Sequence, residues 1–305
     1  MNRAFVRILK SALIIILVTF GFLLFLTACV SNAPPEPQIP TEAAVHPEPQ
    51  AEPEAQAVPE PHATPEPPPP DDVELIVFAA ASMTDTLEEI AEIYKTVAPH
   101  VTLVFNFDSS GTLKTQIEEG AQSDLFISAA QRQMNELEEL DFLQPGTRVD
   151  ILENKVTLVS APGNPKSLTG FESLVEALSG ENILLAIGNS DVPVGQYTIR
   201  IFEYFDLDEE TLVQSGVITY GSNVREVTTQ VSEASVDAGI VYQTDAHSAG
   251  LDVLDHATPE MCGQVIYPAA VLNISTNIFD AQAFLDFLFT PEAMAVFESV
   301  GFSAV

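Results

Sequence analysis

Beyond residue 72 the chain alternates short β-rich apolar runs with amphipathic stretches. Leu75-Ile76-Val77-Phe78 reads as a buried strand. Residues 84–97 place Leu87, Ile90, Ala91 and Tyr94 at the three- and four-residue spacing of a helix with one face turned to a core. Strands at 101–105 and 124–127, with a helix near 112–119 between them, continue a βαβαβ rhythm, which predicts a parallel sheet covered by helices on both faces. Further strands are predicted at 155–160, 183–187, 216–220, 238–242 and 265–273, and helices at 197–205, 224–234 and 281–288. The expected fold class is α/β. Roughly 230 residues suffice for two lobes of about 100–130 residues each, and no internal repeat is evident.

The N-terminal pattern differs in kind. Arg3, Arg7 and Lys10 precede an apolar run from Ala12 to Phe25 that closes on Leu26-Thr27-Ala28-Cys29. A basic flank, an apolar centre and small residues at a cut site make an export signal over residues 1–29. The ending resembles the bacterial lipobox, in which Cys29 would become the lipidated first residue and hold the protein to the bilayer. An uncleaved anchor is the alternative, since the apolar run approaches the ~18 residues that suggest a membrane span. Either reading puts the remainder outside the cytoplasm, because positive flanks stay inside. Residues 30–72 repeat Pro, Glu and Ala and hold too few apolar side chains to offset their ordering entropy. They read as an extended stalk, with an upper reach on the order of 130 Å at about 3.1 Å per residue, or as a spacer with no partner of its own.

Composition narrows the function. A formal charge of -33 excludes nucleic acid as partner, which demands a basic face. Of the five histidines, His46 and His62 lie in the stalk, and His100, His247 and His256 stand in no triad or nucleophile-elbow context. An enzyme is not expected. With Cys29 acylated, Cys262 has no partner and reads as a buried thiol.

The chemistry gathers between strands and helices, where helix N-termini offer free N–H groups and a partial positive charge. Ala79-Ala80-Ala81-Ser82 follows the first strand and Asp108-Ser109-Ser110-Gly111-Thr112 the second. Val192-Pro193-Val194-Gly195 and Gly221-Ser222-Asn223-Val224-Arg225 open later helices, and Tyr242 ends a strand. In open α/β sheets such junctions line the ligand crevice, and these supply neutral donors suited to an anion. Taken singly, each serine also reads as a plain helix cap, and Tyr242 as a core residue.

Phe78-Ala79-Ala80-Ala81-Ser82, Asp108 to Leu113, Asp124-Leu125-Phe126-Ile127-Ser128-Ala129, Val192-Pro193-Val194-Gly195, Asn223-Val224-Arg225, Gly239 to Ala246, Thr290-Pro291-Glu292-Ala293 and Gly301-Phe302 together resemble the molybdate-binding proteins of bacterial molybdate ABC importers. The resemblance covers essentially all of residues 73–305. It implies the two-lobed type II periplasmic-binding-protein fold, with a hinge and an interlobe cleft. One lobe would span 73–155 plus 270–305 and the other 156–269, with crossings near Val156 to Val159 and Ala269 to Leu272.

The same resemblance implies molybdate contacts at Ser82, Ser110, Val194, Val224 and Tyr242, with Ser109 and Ala129 as second-line neighbours. Arg225 would order the cleft wall by pairing with a carboxylate. Molybdenum would enter only as the oxyanion molybdate, with tungstate the other expected ligand and no cofactor. The partners implied are a membrane permease and the bilayer, and a monomer is expected. Three positions depart from the family pattern. Val194 is larger than usual, Gly111 replaces a frequent serine, and Asp108 brings a carboxylate beside the serine pair, expected to point outward or to cap the next helix. Sulfate is the alternative ligand, and a surface hydrolase or adhesin the alternative class.

Overall fold

The structure is a computed structural model that describes residues 71–305. The export signal, Cys29 and the stalk up to residue 70 lie outside the described residues. The strands are β1 (Val73–Ala80), β2 (Val101–Asp108), β3 (Leu125–Ile127), β4 (Val149–Asn154), β5 (Val156–Ser160), β6 (Leu185–Gly188), β7 (Ile218–Gly221), β8 (Ala238–Tyr242), β9 (Val253–His256), β10 (Val265–Val271) and β11 (Ser303–Ala304). They form two sheets, one six-stranded in the order β11-β4-β10-β3-β1-β2 and one five-stranded in the order β7-β6-β8-β5-β9.

Every residue of β3, β5, β6 and β8 is buried. Their sequences are accordingly largely apolar, with Thr157 and Ser160 of β5 the polar exceptions, rather than alternating, as a sheet covered on both faces requires. The helix Thr84–Val97 buries Leu87, Ile90 and Tyr94 as its spacing predicts, and Tyr94 packs edge-on to Phe284 with ring centroids 5.0 Å apart.

The sheets are mixed, not parallel. β1 pairs in parallel with β2 and β3, and β6 with β7 and β8, but β10 runs antiparallel to β3 and β4, and β5 antiparallel to β8 and β9. A βα rhythm dictates parallel neighbours only where a helix crosses over within one sheet. The strands that arrive from the other sheet are free of that constraint. β4 and β5 flank Lys155, so the first crossing is a single residue. The return comes earlier than Ala269 to Leu272, because β10 pairs with β4 from Val265 onward. Residues 265–269 therefore belong to the first sheet, a membership that their apolar run does not encode.

Register brings the junctions together. Ala80 at the end of β1 pairs with Asp108 at the end of β2, and Ala79 pairs with Ile127 at the end of β3. In the second sheet Gly188 at the end of β6 pairs with Gly221 at the end of β7. Among the described residues no helix is long and apolar enough to cross a membrane.

Candidate functional site

β1 runs into a 3-10 turn, Ala81–Met83, that carries Ser82. β2 runs into the helix Ser110–Glu118, whose cap is Ser109; its Oγ accepts from the Thr112 N–H at 3.1 Å. Asp108 is therefore not the cap. Its Oδ1 accepts from the Ser109 N–H at 2.7 Å and from Asn223 Nδ2 at 3.3 Å, and Asn223 belongs to the second lobe. The outward or capping role expected of Asp108 gives way to a tie between lobes, because Ser109 has already taken the cap.

On the facing side, the helices Pro193–Tyr204 and Val224–Ser232 both begin at the cleft. Pro193 suits the first position because its missing N–H would be unpaired there anyway. Asn223 caps the second helix by accepting from the Glu226 N–H at 3.1 Å.

These elements line a small cavity of about 10 Å³. One water needs about that much. Ser82, Ser110, Tyr242 and Val224 line it, with Ser109 and Ala129 among their neighbours. Val192 and Pro193 supply the wall where Val194 was expected. The Val194 side chain is fully buried, and as the second helical residue it has an N–H with no partner inside its helix. Arg225 stands outside the lining and makes a two-point pair with Asp85 of the first lobe, at 3.1 and 3.2 Å.

The hydroxyls are set to donate. Ser110 is fully buried and its Oγ accepts from the Ala129 N–H at 3.0 Å, which leaves its proton free. The Tyr242 hydroxyl is buried without any partner. Burial, seconded by Tyr267 nearby, pushes the Tyr242 phenol well above its ordinary pKa, so it remains a neutral donor. No lysine or arginine lines the cavity. An unpartnered buried hydroxyl costs about 1–3 kcal/mol, and among the residues lining the cavity Tyr242 is a donor without an acceptor.

Gly111, the departure that removes a hydroxyl, has a physical reason. Its N–H donates to the Asp191 carbonyl at 3.1 Å across the cleft, and a Cβ at this position would stand 2.2 Å from that oxygen. The lobes meet through backbone where a side chain has no room. Tyr267 and Asn154, which contact Ser82 directly and at one remove, carried no signal in the sequence; the contact between Ser82 and Tyr267 spans 185 residues.

Comparison with known proteins bears on the family and the fold. The model of the bacterial extracellular solute-binding protein family matches residues 75–303. YvgL of Bacillus subtilis, whose name describes an ABC transporter substrate-binding lipoprotein, is 34% identical over 233 residues, covering 76% of this chain and 87% of YvgL. The molybdate-binding protein ModA of Haemophilus influenzae is 33% identical over 239 residues, covering 76% and 90%. The periplasmic molybdate-binding protein of Azotobacter vinelandii superposes with a TM-score of 0.66 at 22% identity, covering 75% of this chain and 98% of that one, a likeness of fold. The two-lobed type II architecture holds, and the chain belongs to the bacterial extracellular solute-binding protein family.

Proposed function

We propose that the protein captures molybdate, and with it tungstate, outside the cytoplasm and delivers it to the permease of an ABC importer. The observation that carries this reading is the cavity between the lobes, lined by Ser82, Ser110 and Tyr242, with the Ser110 and Tyr242 hydroxyl protons free to give and no cation beside them. A fully ionised tetrahedral anion has acceptors on every side and no proton to offer, so a shell of neutral donors satisfies it. Helix N-termini at Pro193 and Val224 add dipoles of the right sign. The names of the Haemophilus and Azotobacter relatives support molybdate as the anion.

The contacts proposed are the hydroxyls of Ser82, Ser110 and Tyr242 and the N–H groups around Val194 and Val224. Ser109 acts by capping the helix that carries Ser110, and Ala129 by donating its N–H to the Ser110 hydroxyl. Because the cavity is about the size of one water, a tetrahedral anion enters with a small outward movement of its walls and then holds the lobes together by touching both. The protein acts as a binding protein, not an enzyme, with no cofactor of its own. Acylation of Cys29 would tether it as a monomer to the membrane, and the tether would raise its effective concentration at the permease.

Calorimetric titration with molybdate, tungstate, sulfate and phosphate tests the proposal. Binding in the nanomolar to micromolar range is expected for the first two and little for the others. Heat with sulfate and none with molybdate would sink it.

A further inference from the structure

Behind Ser82 lies a chain of hydrogen bonds whose direction can be read. Ser82 Oγ is 2.9 Å from the Tyr267 phenolic oxygen on β10, and either hydroxyl could donate on that distance alone. The ambiguity is resolved one link further back. Asn154 Oδ1 accepts from the backbone N–H of Lys155 at 2.8 Å, and a backbone N–H only donates. The amide's orientation is thereby fixed, with Nδ2 facing Thr244 Oγ1 at 3.0 Å and the Tyr267 oxygen at 3.2 Å. An amide N–H also only donates, so the Tyr267 oxygen accepts from it; Ser82 Oγ is the one remaining partner of the phenol among the described residues, and the Tyr267 proton is satisfied by turning to it. Ser82 Oγ then accepts, and its proton is left for the cavity. Tyr267 is fully buried and Asn154 nearly so, which keeps water from competing for these bonds.

We propose that Asn154 and Tyr267 are positioning residues that hold Ser82 as a fixed donor into the cavity. The inference rests on the anion-capture reading and refines it. The chain starts at Lys155, the single residue that links β4 to β5, so the donor at Ser82 is oriented from the point where the backbone passes between lobes. An unlocked serine hydroxyl could rotate to accept a proton from an anion such as hydrogen phosphate, whereas a locked one could not.

The test is a double-mutant cycle on molybdate affinity in the purified protein. Ser82→Ala is expected to weaken binding roughly tenfold. Tyr267→Phe, which keeps the ring and removes only the relay, is expected to weaken it severalfold while narrowing the preference for molybdate over hydrogen phosphate. In the Ser82→Ala background, Tyr267→Phe should change affinity by less than about twofold, since the residue it acts through is gone. An equal loss in both backgrounds, or no loss at all from Tyr267→Phe alone, overturns the proposal. Should Tyr267→Phe fold poorly, Asn154→Ala is read in the same cycle with the same two outcomes. If the unsubstituted protein binds sulfate or phosphate but not molybdate, the cycle is run with that anion and only the choice of ligand fails. Binding to none of them overturns the capture reading and the relay together.

Discussion

Tyr242→Phe separates binding from packing, because the two effects run in opposite directions. The substitution removes one oxygen that is buried without a hydrogen-bond partner and leaves the ring, which packs against Tyr197 and Tyr267 with centroids 6.4 and 5.9 Å away. Leaving a buried polar group unpaired costs about 1–3 kcal/mol. At about 2–4 °C per kcal/mol for a domain of this size, removing the hydroxyl raises the ligand-free melting temperature by up to roughly 10 °C. The gain is smaller wherever a water reaches the cavity to satisfy the oxygen. With molybdate present the sign reverses. A hydrogen bond to a charged acceptor contributes about 1.5–3 kcal/mol, so losing it weakens affinity by roughly 10- to 150-fold. Differential scanning calorimetry without ligand, followed by titration with molybdate, reads both numbers on one preparation. A fall of several degrees in the ligand-free melting temperature with unchanged affinity would show that the phenol is a packing group, and would refute the site as described.

Other expectations follow from the same geometry. Gly111→Ala places a methyl 2.2 Å from the Asp191 carbonyl oxygen; at the ~1–3 kcal/mol of a tight steric insertion it should lower the ligand-free melting temperature by roughly 2–12 °C, as calorimetry would show. The Arg225 to Asp85 pair is partly exposed, at 44% and 47% of the side chains, so its contribution to closure is about 0.2–1 kcal/mol. Arg225→Ala and Asp85→Ala should each weaken binding by less than about fivefold, should not add, and should lose their effect in high salt. Asp245 is fully buried, and burial pushes its carboxyl up to about 7 from an ordinary 3.8. Between those values the folded protein holds a proton that the unfolded chain has released, so the contribution of Asp245 to stability is greatest below about pH 4 and falls as pH rises to 7. Urea unfolding at pH 5 and pH 7.5 should show that decline reduced in Asp245→Asn.

The parts legible in the sequence were those written locally. Ser82, Ser110 and Tyr242 could be singled out because they stand at strand-to-helix junctions inside short motifs that resemble the molybdate-binding family. The mainly apolar, β-branched runs within β1, β5 and β8 announced buried strands from local sequence as well. β4 and β9 passed unnoticed, since Val149–Asn154 and Val253–His256 mix polar residues into short segments. The direction of β10 was hidden because an antiparallel strand crossing from the other lobe has no helix beside it to declare its sense. Pro268 would argue against a central strand, yet β10 shifts register between Tyr267 and Pro268, and the irregularity accommodates the missing N–H. Tyr267 gave no signal because its contacts with Ser82 and Asn154 depend on the tertiary fold. Asp108 read as a liability because its cross-cleft partner Asn223 is 115 residues away.

The central claim is that a tetrahedral oxyanion is held between the lobes by the hydroxyls of Ser82, Ser110 and Tyr242. A crystal of the protein grown with molybdate and measured at an X-ray energy where molybdenum scatters anomalously tests it most directly. The account predicts one strong anomalous peak inside the cavity, within hydrogen-bonding reach of all three hydroxyls through its oxygens. A peak elsewhere on the protein, or an empty cavity at saturating molybdate, would contradict it.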